Sequence, residues 1–290
     1  MRRAQPKDRA RPQHQTRAEI ITNGATHAAY LRHERIGQKA IAALAERQRK
    51  AVIRELRNRE RQDVPLLPDA TAPDGALNVV MSETFEGEGT LTLAGVVRAA
   101  DGLFDMRFWI GETRKALEPF LEGTWGDGGS TIAAALGLSW DVFDAGVLTS
   151  MEQRLALLST QMTDTTARAL EAGIIAAGAE EGLSIDDMAR RLGAVFEDLK
   201  GWRGKMIART ETVSGFNMAQ HQVAAQSGVQ LRKRWLATSD ARTRESHRRV
   251  DGDTVPMTGV FANGLQFAGD PNGSPSETIQ CRCTTLYEEI

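Results

Sequence analysis

Residues 201–240 read GWRGKMIARTETVSGFNMAQHQVAAQSGVQLRKRWLATSD, and this stretch determines the fold of the C-terminal third of the chain. The first part is typical of one long helix, ended by Gly228 in the position that follows a helix C-terminus. From there Leu231, Lys233 and Trp235 alternate with more polar residues, a period of two that predicts a half-buried strand. A helix leading into a strand predicts an α+β unit.

A polar stripe runs along the predicted helix. Thr210, Ser214, Asn217 and His221 follow one another at spacings of 4, 3 and 4 residues, which keeps them nearly in line on one face. Such a stripe either faces solvent or forms hydrogen bonds with an adjacent loop. The sequence leaves both alternatives open.

The rest of the C-terminal region alternates between turns and short apolar runs. Asp251-Gly252 and Asn263-Gly264 are tight-turn signals. They predict short strands around Val255 and at 265–267, and the segment 281–287 predicts a final strand. Residues 201–290 are therefore interpreted as one long helix packed on a small sheet.

The upstream chain is predicted to be mostly helical. Residues 1–62 form a basic arm followed by a helix from about residue 19, and residues 63–138 form a linker and a helical region of unknown type. Within it, the glycine-rich stretch 123–130 predicts a flexible connection. Residues 139–200 are a helical segment, with helix starts expected at Thr163-Asp164 and at Ser184. The expected fold class is thus α+β, with helical N-terminal and middle regions before a small C-terminal α+β domain.

Charge is distributed unevenly along the chain. Residues 1–62 carry 16 Lys/Arg against 6 Asp/Glu, whereas the whole chain has a net charge of −2. A basic arm of this kind contacts nucleic acid or an acidic protein surface, or it is simply a solvated Arg-rich helix. The arm's first basic residues are Arg2, Arg3, Lys7, Arg9, Arg11 and Arg17.

Composition excludes several classes of protein. Apolar residues at 41% and charged residues at 26% are ordinary for globular proteins and argue against a disordered chain. No apolar run approaches the roughly 18 residues of a membrane span, so no membrane partner is expected. No apolar run follows the basic N-terminus, so no secretory signal is expected either. The only cysteines, Cys281 and Cys283, are too close together for an unstrained disulfide, which predicts reduced thiols or metal ligands.

Four residues have the side-chain types that zinc accepts. They are Asp240, His247, Cys281 and Cys283, which supply a carboxylate, an imidazole and two thiols. The metal-free alternative is a structural cluster with the thiols packed inside. In that alternative the arginines 242, 244 and 282 pair with the acidic residues 240, 251 and 211. The motif alone does not decide between them.

A metal-dependent nuclease is the competing class of function. His247 with Asp240 and Asp251 would bind a divalent ion and activate water. Against it, a second catalytic His or Asn is missing, and no basic helix clearly follows DNA beside this site.

An ordered series of motifs resembles a known family. It contains Ala208-Arg209-Thr210-Glu211, Asn217, Gly228, Lys233, Trp235, Asp240, Arg242, Arg244, His247, Asp251-Gly252, Phe261, Gly269-Asp270-Pro271 and Cys281-Arg282-Cys283. This series resembles the phage Mu protein F-like head morphogenesis domain, also called the minor head protein family. The resemblance covers about residues 150–290, and 200–290 most clearly.

The resemblance implies a structural protein rather than an enzyme. Proteins of this family are minor head components of tailed phages, present in few copies. They associate with the portal vertex and support head assembly or the fate of packaged DNA. The expected partners are portal or capsid proteins and packaged DNA, and the expected location is the virion head, with assembly in the host cytoplasm. The expected structural motif residues are Arg209, Glu211, Asn217, Arg242, Asp251 and Arg282.

Overall fold

The computed structural model of the chain describes residues 17–61, 103–141, 145–178 and 184–290. Long helices account for most of these residues: α1 (Arg17–Arg61), α2 (Met106–Ala135), α3 (Ala145–Gly178), α4 (Ile185–Lys200) and α5 (Trp202–Gln226). Short elements follow: β1 (Leu231–Leu236), α6 (Glu245–Arg249), β2 (Thr254–Pro256), α7 (Pro275–Thr278) and β3 (Thr284–Glu289). The predicted fold class is confirmed. The predicted domain boundaries stay predictions.

The sheet is small and antiparallel. Its strand order is β2-β1-β3, so that Lys233 at the centre lies opposite Val255 on one side and Tyr287 on the other. The strand expected at 265–267 is instead a series of turns and bends. Leu265 and Phe267 are nevertheless buried, so their apolar character reflects packing rather than strand pairing. The final strand begins at residue 284, not at 281.

The helices enclose the main apolar core. Helix α5 packs against α1 and α2, α4 packs against α1, and α3 packs against α2. Aliphatic and aromatic side chains from all five helices fill this interior. The fully buried members include Ile41, Leu44, Leu56, Leu117, Phe120, Trp125, Leu155, Leu192 and Phe196.

The glycine-rich stretch 123–130 corrects a sequence-based expectation. It is helical and belongs to α2, which continues to Ala135. Two of its glycines are needed for close packing: a Cβ on Gly128 would lie 2.5 Å from the carbonyl oxygen of Phe216, and one on Gly129 would lie 2.3 Å from the Trp140 ring. Tertiary packing therefore outweighs the low helix propensity of glycine here.

The predicted helix start at Thr163 is also wrong, because α3 runs through it. Thr163 is buried, donates to the carbonyl oxygen of Ser159 at 2.8 Å and lies 3.2 Å from the hydroxyl of Thr113 on α2. Its polarity thus serves a contact between helices. The predicted start at Ser184 is confirmed: its hydroxyl accepts the Asp187 amide at 3.1 Å, and the Asp187 carboxylate accepts the Ser184 amide at 3.3 Å.

A second apolar cluster lies between α5 and the sheet. Val213 and Phe216 of α5 pack with Trp235 of β1 and with Phe261, whose ring meets that of Trp235 nearly edge to face at 5.2 Å. The polar stripe of α5 faces this C-terminal region rather than solvent. The Gln280 amide, for example, donates to Thr210 Oγ1 at 3.0 Å. Of the two alternatives for the stripe, hydrogen bonding to neighbouring segments is the one observed.

Within the described ranges, no helix is both long and apolar enough to cross a membrane. The basic residues 2–11 lie outside these ranges. Arg17 begins α1, and its side chain is not described.

Candidate functional site

Three of the predicted metal ligands converge beside the sheet. His247 lies on α6, whereas Cys281 and Cys283 precede β3. The His247 Nδ1 atom lies 3.3 Å from the Cys283 sulfur and 3.8 Å from the Cys281 sulfur. One ligand atom from each residue falls within 4.8 Å of the others, and all three residues are buried. Two segments distant in sequence thus form one compact His/Cys/Cys group.

A carboxylate supports the other side of the imidazole. Glu277 Oε2 lies 2.9 Å from His247 Nε2, which is an ion-pair distance but not an aligned hydrogen bond. The same oxygen accepts the hydroxyl of Ser246 at 2.8 Å. Trp235 packs nearly edge to face against the imidazole, with the ring centroids 5.1 Å apart. These contacts orient the ring so that Nδ1 faces the two sulfurs.

The pKa values of the two thiols are shifted in opposite directions. A hydrogen bond from the Cys281 thiol lowers the pKa of Cys283, and His247 lowers it further. The same hydrogen bond and burial raise the pKa of Cys281. Because a metal is bound by a thiolate and not by a thiol, Cys283 is the sulfur of the pair that more readily becomes a ligand.

Asp240 does not join this group. Its carboxylate forms a two-point ion pair with Arg282, with Nη2 donating to Oδ1 at 2.8 Å, and Oδ1 also accepts the Arg242 amide at 2.9 Å. The hydrogen bonds from Arg282 are the main reason why the pKa of Asp240 lies well below its usual range. Of the four predicted ligands, the structure thus brings three together and leaves Asp240 apart, because Arg282 holds its carboxylate.

Asp251 serves the backbone rather than the His/Cys/Cys group. Its Oδ1 accepts the amide of Ala237 at 2.8 Å, which joins the turn after α6 to the end of β1. Arg242 is largely exposed, with its guanidinium 3.8 Å from Asp240. Among the described residues, the set His247, Asp240 and Asp251 does not appear as a common metal-binding group.

The motif residues of α5 connect helices. Glu211 is buried and accepts Arg154 of α3 at two points, with distances of 2.8 and 2.5 Å. Arg209 donates to Glu34 of α1 at 2.6 Å. These partners could not be found from the sequence, since nothing in the local pattern around residues 34 or 154 marks them.

Asn217 connects three elements at once. Its amide nitrogen donates to the Tyr30 hydroxyl of α1 at 2.8 Å and to the Val213 carbonyl at 2.9 Å. Its amide oxygen accepts the backbone of Thr285 at 3.0 Å and the hydroxyl of Thr284 at 3.2 Å. A fully buried amide with all its donors and acceptors used is a structural residue.

Glu277 was missed by sequence reasoning, although a signal existed. It lies four residues before Cys281 and has a side chain that often supports a metal-bound histidine. Its role became visible only when α6 and α7 were brought together.

A basic groove lies between α1 and α4. Its acidic members are Asp186 and Glu197, and its floor includes Ile53 and Ala189. The basic side chains outnumber the acidic ones, so the groove has a positive lining. The basic members are Arg49, Lys50, Arg54, Arg57, Arg61 and Arg190.

Comparisons with known proteins agree with the motif series. A family model described as "Phage Mu protein F like protein" matches residues 163–286. Minor head protein GP7 of Bacillus phage SPP1 is 31% identical over 120 residues, which is 39% of this chain and 38% of that protein. NAD(+)--arginine ADP-ribosyltransferase EFV of Enterococcus faecalis (strain ATCC 700802 / V583) is 34% identical over 117 residues, which is 39% of this chain and 24% of that protein. No solved structure matches.

The chain covers less than two fifths of the length of either relative. The matched region begins within α3, contains α4, α5, β1, β2 and the His/Cys/Cys group, and ends within β3. The resemblance predicted from the motifs is confirmed, because residues 163–286 match the phage Mu protein F-like family.

Proposed function

We propose that this protein is a minor structural component of a tailed-phage head and acts in head morphogenesis. The observation that carries the proposal is the family match over residues 163–286, together with the relative named as a minor head protein. The proposed location is the virion head, reached by assembly in the bacterial host cytoplasm. The proposed partners are portal and capsid proteins, with attachment at the portal vertex.

Charged side chains of the matched region pair with one another or with side chains of α1 and α3, which supports a structural role. Glu211 binds Arg154, Arg209 binds Glu34, and the Asp240 carboxylate binds Arg282. Charged groups engaged with one another in this way hold elements together and are poorly placed to act on a substrate. No reaction is therefore assigned to the chain.

The head proposal is tested by measuring whether the protein is part of the particle. An epitope-tagged chain is expressed during particle production in the bacterial host, and the heads are purified by density gradient. We expect the full chain to sediment with the heads in few copies per particle and to cross-link to the portal protein. A chain that stays in the soluble lysate while normal heads assemble would contradict the proposal.

We also propose that the basic groove contacts packaged DNA together with the basic arm. The groove places several guanidinium groups of α1 beside Arg190 of α4, which suits contact with a row of phosphates. Among the described side chains, Arg57 is the one of the three arginines at 54, 57 and 61 that faces an acidic group across the groove, with Asp186 at 3.5 Å. Weak contacts are sufficient where DNA is concentrated.

Charge removal tests the DNA contact. Replacing Arg54, Arg57 and Arg61 by Gln should weaken binding to double-stranded DNA. The slope of log K against the logarithm of the salt concentration should also become less steep, by about 3 if all three arginines contact phosphates. The matched control replaces three exposed arginines outside the groove, at 168, 242 and 249. An equal loss in both triple variants would show that net charge, and not the groove, governs binding.

Direct assays test two enzymatic alternatives to the structural proposal, an ADP-ribosyltransferase and a metal-dependent nuclease. The name of the Enterococcus relative describes an ADP-ribosyltransferase, of which this chain matches 24%. The purified chain is incubated with NAD⁺ and an arginine-rich acceptor protein, and separately with Mg²⁺ or Zn²⁺ and linear DNA. We expect neither modification nor cleavage. Cleavage that is lost in His247→Ala, or transfer of ADP-ribose to the acceptor, would contradict the structural proposal.

A further inference from the structure

The His/Cys/Cys group has the dimensions of a tetrahedral metal site. Zinc binds sulfur at about 2.3 Å and imidazole nitrogen at about 2.0 Å, which separates the two ligand atoms by about 3.5 Å in a tetrahedron. The His247 Nδ1 atom lies 3.3 and 3.8 Å from the two sulfurs, on either side of that value. Only small side-chain movements would place all three atoms around one ion.

The surroundings of the group are those of a built ligand set. The three side chains are buried, and both cysteines are free. The Glu277 carboxylate lies behind the imidazole at Nε2, the arrangement that orients a metal-bound histidine and increases its basicity. The Ser246 hydroxyl fixes that carboxylate in turn.

The backbone also answers a geometric objection to a Cys-x-Cys pair. Two cysteines in a regular strand have little freedom to wrap around an ion. Here both precede β3, and Gln280 just before them has a φ of 57°, which turns the chain sharply. The pair therefore follows a turn and lies outside the regular strand, and both sulfurs reach the same imidazole.

We propose that His247 Nδ1, Cys281 Sγ and Cys283 Sγ bind one Zn²⁺ ion, with a solvent molecule in the fourth tetrahedral position. Soft thiolates with an imidazole favour zinc over magnesium or calcium, which prefer oxygen ligands. The ion fastens α6 to the segment that leads into β3. This inference does not depend on the role of the protein in a phage head.

The first test is metal content of the full chain, purified without chelators from cells grown with added zinc. Elemental mass spectrometry should find about one zinc per chain. Cys283→Ser and His247→Ala should each lose most of it. The matched control is Asp240→Asn, which should keep the metal because Asp240 binds Arg282 instead. Wild-type protein with less than about a tenth of an equivalent of zinc, even after incubation with excess Zn²⁺, would overturn the proposal.

A second measurement uses only the wild-type chain, so that a variant that fails to fold does not affect the outcome. Co²⁺ added to the metal-free protein should produce the charge-transfer absorption of cobalt–thiolate bonds, and Zn²⁺ should abolish it. Chelation of the ion should also lower the thermal midpoint. A cobalt spectrum without thiolate bands would overturn the proposed ligand set, because all the sulfur ligands come from Cys281 and Cys283.

Discussion

A buried carboxylate on α5 depends on one guanidinium from another helix. Glu211 is 4% exposed, and Arg154 of α3 meets it with two nitrogens. Such a pair contributes little relative to apolar residues of the same size. Removing one member is costly, because the other stays buried with an uncompensated charge.

We therefore expect Arg154→Ala to lower the free energy of unfolding by about 3 kcal/mol, measured by urea denaturation. Arg168→Ala on the same helix is the control. Arg168 is largely exposed and pairs with Asp164 four residues earlier, so its loss should change stability by less than about 0.5 kcal/mol. Similar effects of the two substitutions would show that the buried pair contributes no more to stability than the exposed pair.

Lys233 is another residue whose charge lies inside the molecule. It occupies the inward face of β1 and is fully buried. Its amine donates to the carbonyl oxygens of Gly259 and Gln266, both at 2.8 Å. Burial lowers the pKa of Lys233 from 10.5 to about 8, although nearby Asp270 opposes the shift. The side chain thus joins the sheet to the loop between β2 and α7.

The lowered pKa of Lys233 makes stability depend on pH in a defined direction. Between about pH 8 and pH 10.5 the unfolded chain holds a proton on this amine that the folded chain has released. The stability that Lys233 contributes therefore rises through this window and is lower below about pH 8. The unfolding free energy of the wild type minus that of Lys233→Met should increase from pH 7.5 to about pH 10. A difference that stays constant or shrinks would contradict the assignment.

At the scale of helices, α2 and α5 approach so closely at Gly128 that no side chain fits between them there. Gly128 of α2 faces the backbone of Phe216 on α5, where a Cβ would lie 2.5 Å from the carbonyl oxygen. Gly126, two residues earlier on the same helix, has open space at the Cβ position. The two glycines have the same helical environment but differ in packing.

Alanine substitutions at these two glycines should change the stability of the protein in opposite directions. Gly128→Ala should destabilise the protein by about 2 kcal/mol, because the helices must move apart. Gly126→Ala should stabilise it by about 0.5 to 1 kcal/mol, because alanine favours the helix and meets no neighbour. Urea denaturation of both variants measures the difference. Two stabilising results would show that the α2–α5 contact is loose.

At the scale of the whole molecule, α5 contributes to three apolar clusters, two of them large. Its Ala208 and Ala219 lie in the helical core, whereas Val213 and Phe216 lie in the cluster against the sheet. Asn217 adds hydrogen bonds that reach from Tyr30 of α1 to Thr285 of β3. Loss of either cluster would expose one face of this helix to water.

We expect the helical part and the C-terminal part to unfold in one transition. Circular dichroism follows the helices, and labelling of the two buried thiols at residues 281 and 283 follows the C-terminal cluster. In urea, with a chelator present, both probes should give the same midpoint. Labelling at a lower urea concentration than helix loss would show that residues 201–290 open independently, as a separate domain would.

The sequence by itself determined features that depend on local preference. The long helices at 17–61 and 202–226, the strand at 231–236 and the start of α4 at Ser184 all follow from periodicity, glycine placement and capping chemistry. The chemical types of the candidate ligands were equally visible. So was the family, because the order of short motifs along the chain needs no contacts to be recognised.

Only the tertiary structure decided which residues meet. Glycine-rich residues 123–130 became helix because docking on α5 favours it, and Thr163 stayed inside α3 because it faces Thr113. Asp240 separated from His247 because Arg282 holds its carboxylate, and Glu277 took the place beside the imidazole. In each case the deciding free energy comes from a contact with a residue distant in sequence. A local sequence pattern contains no information about that contact.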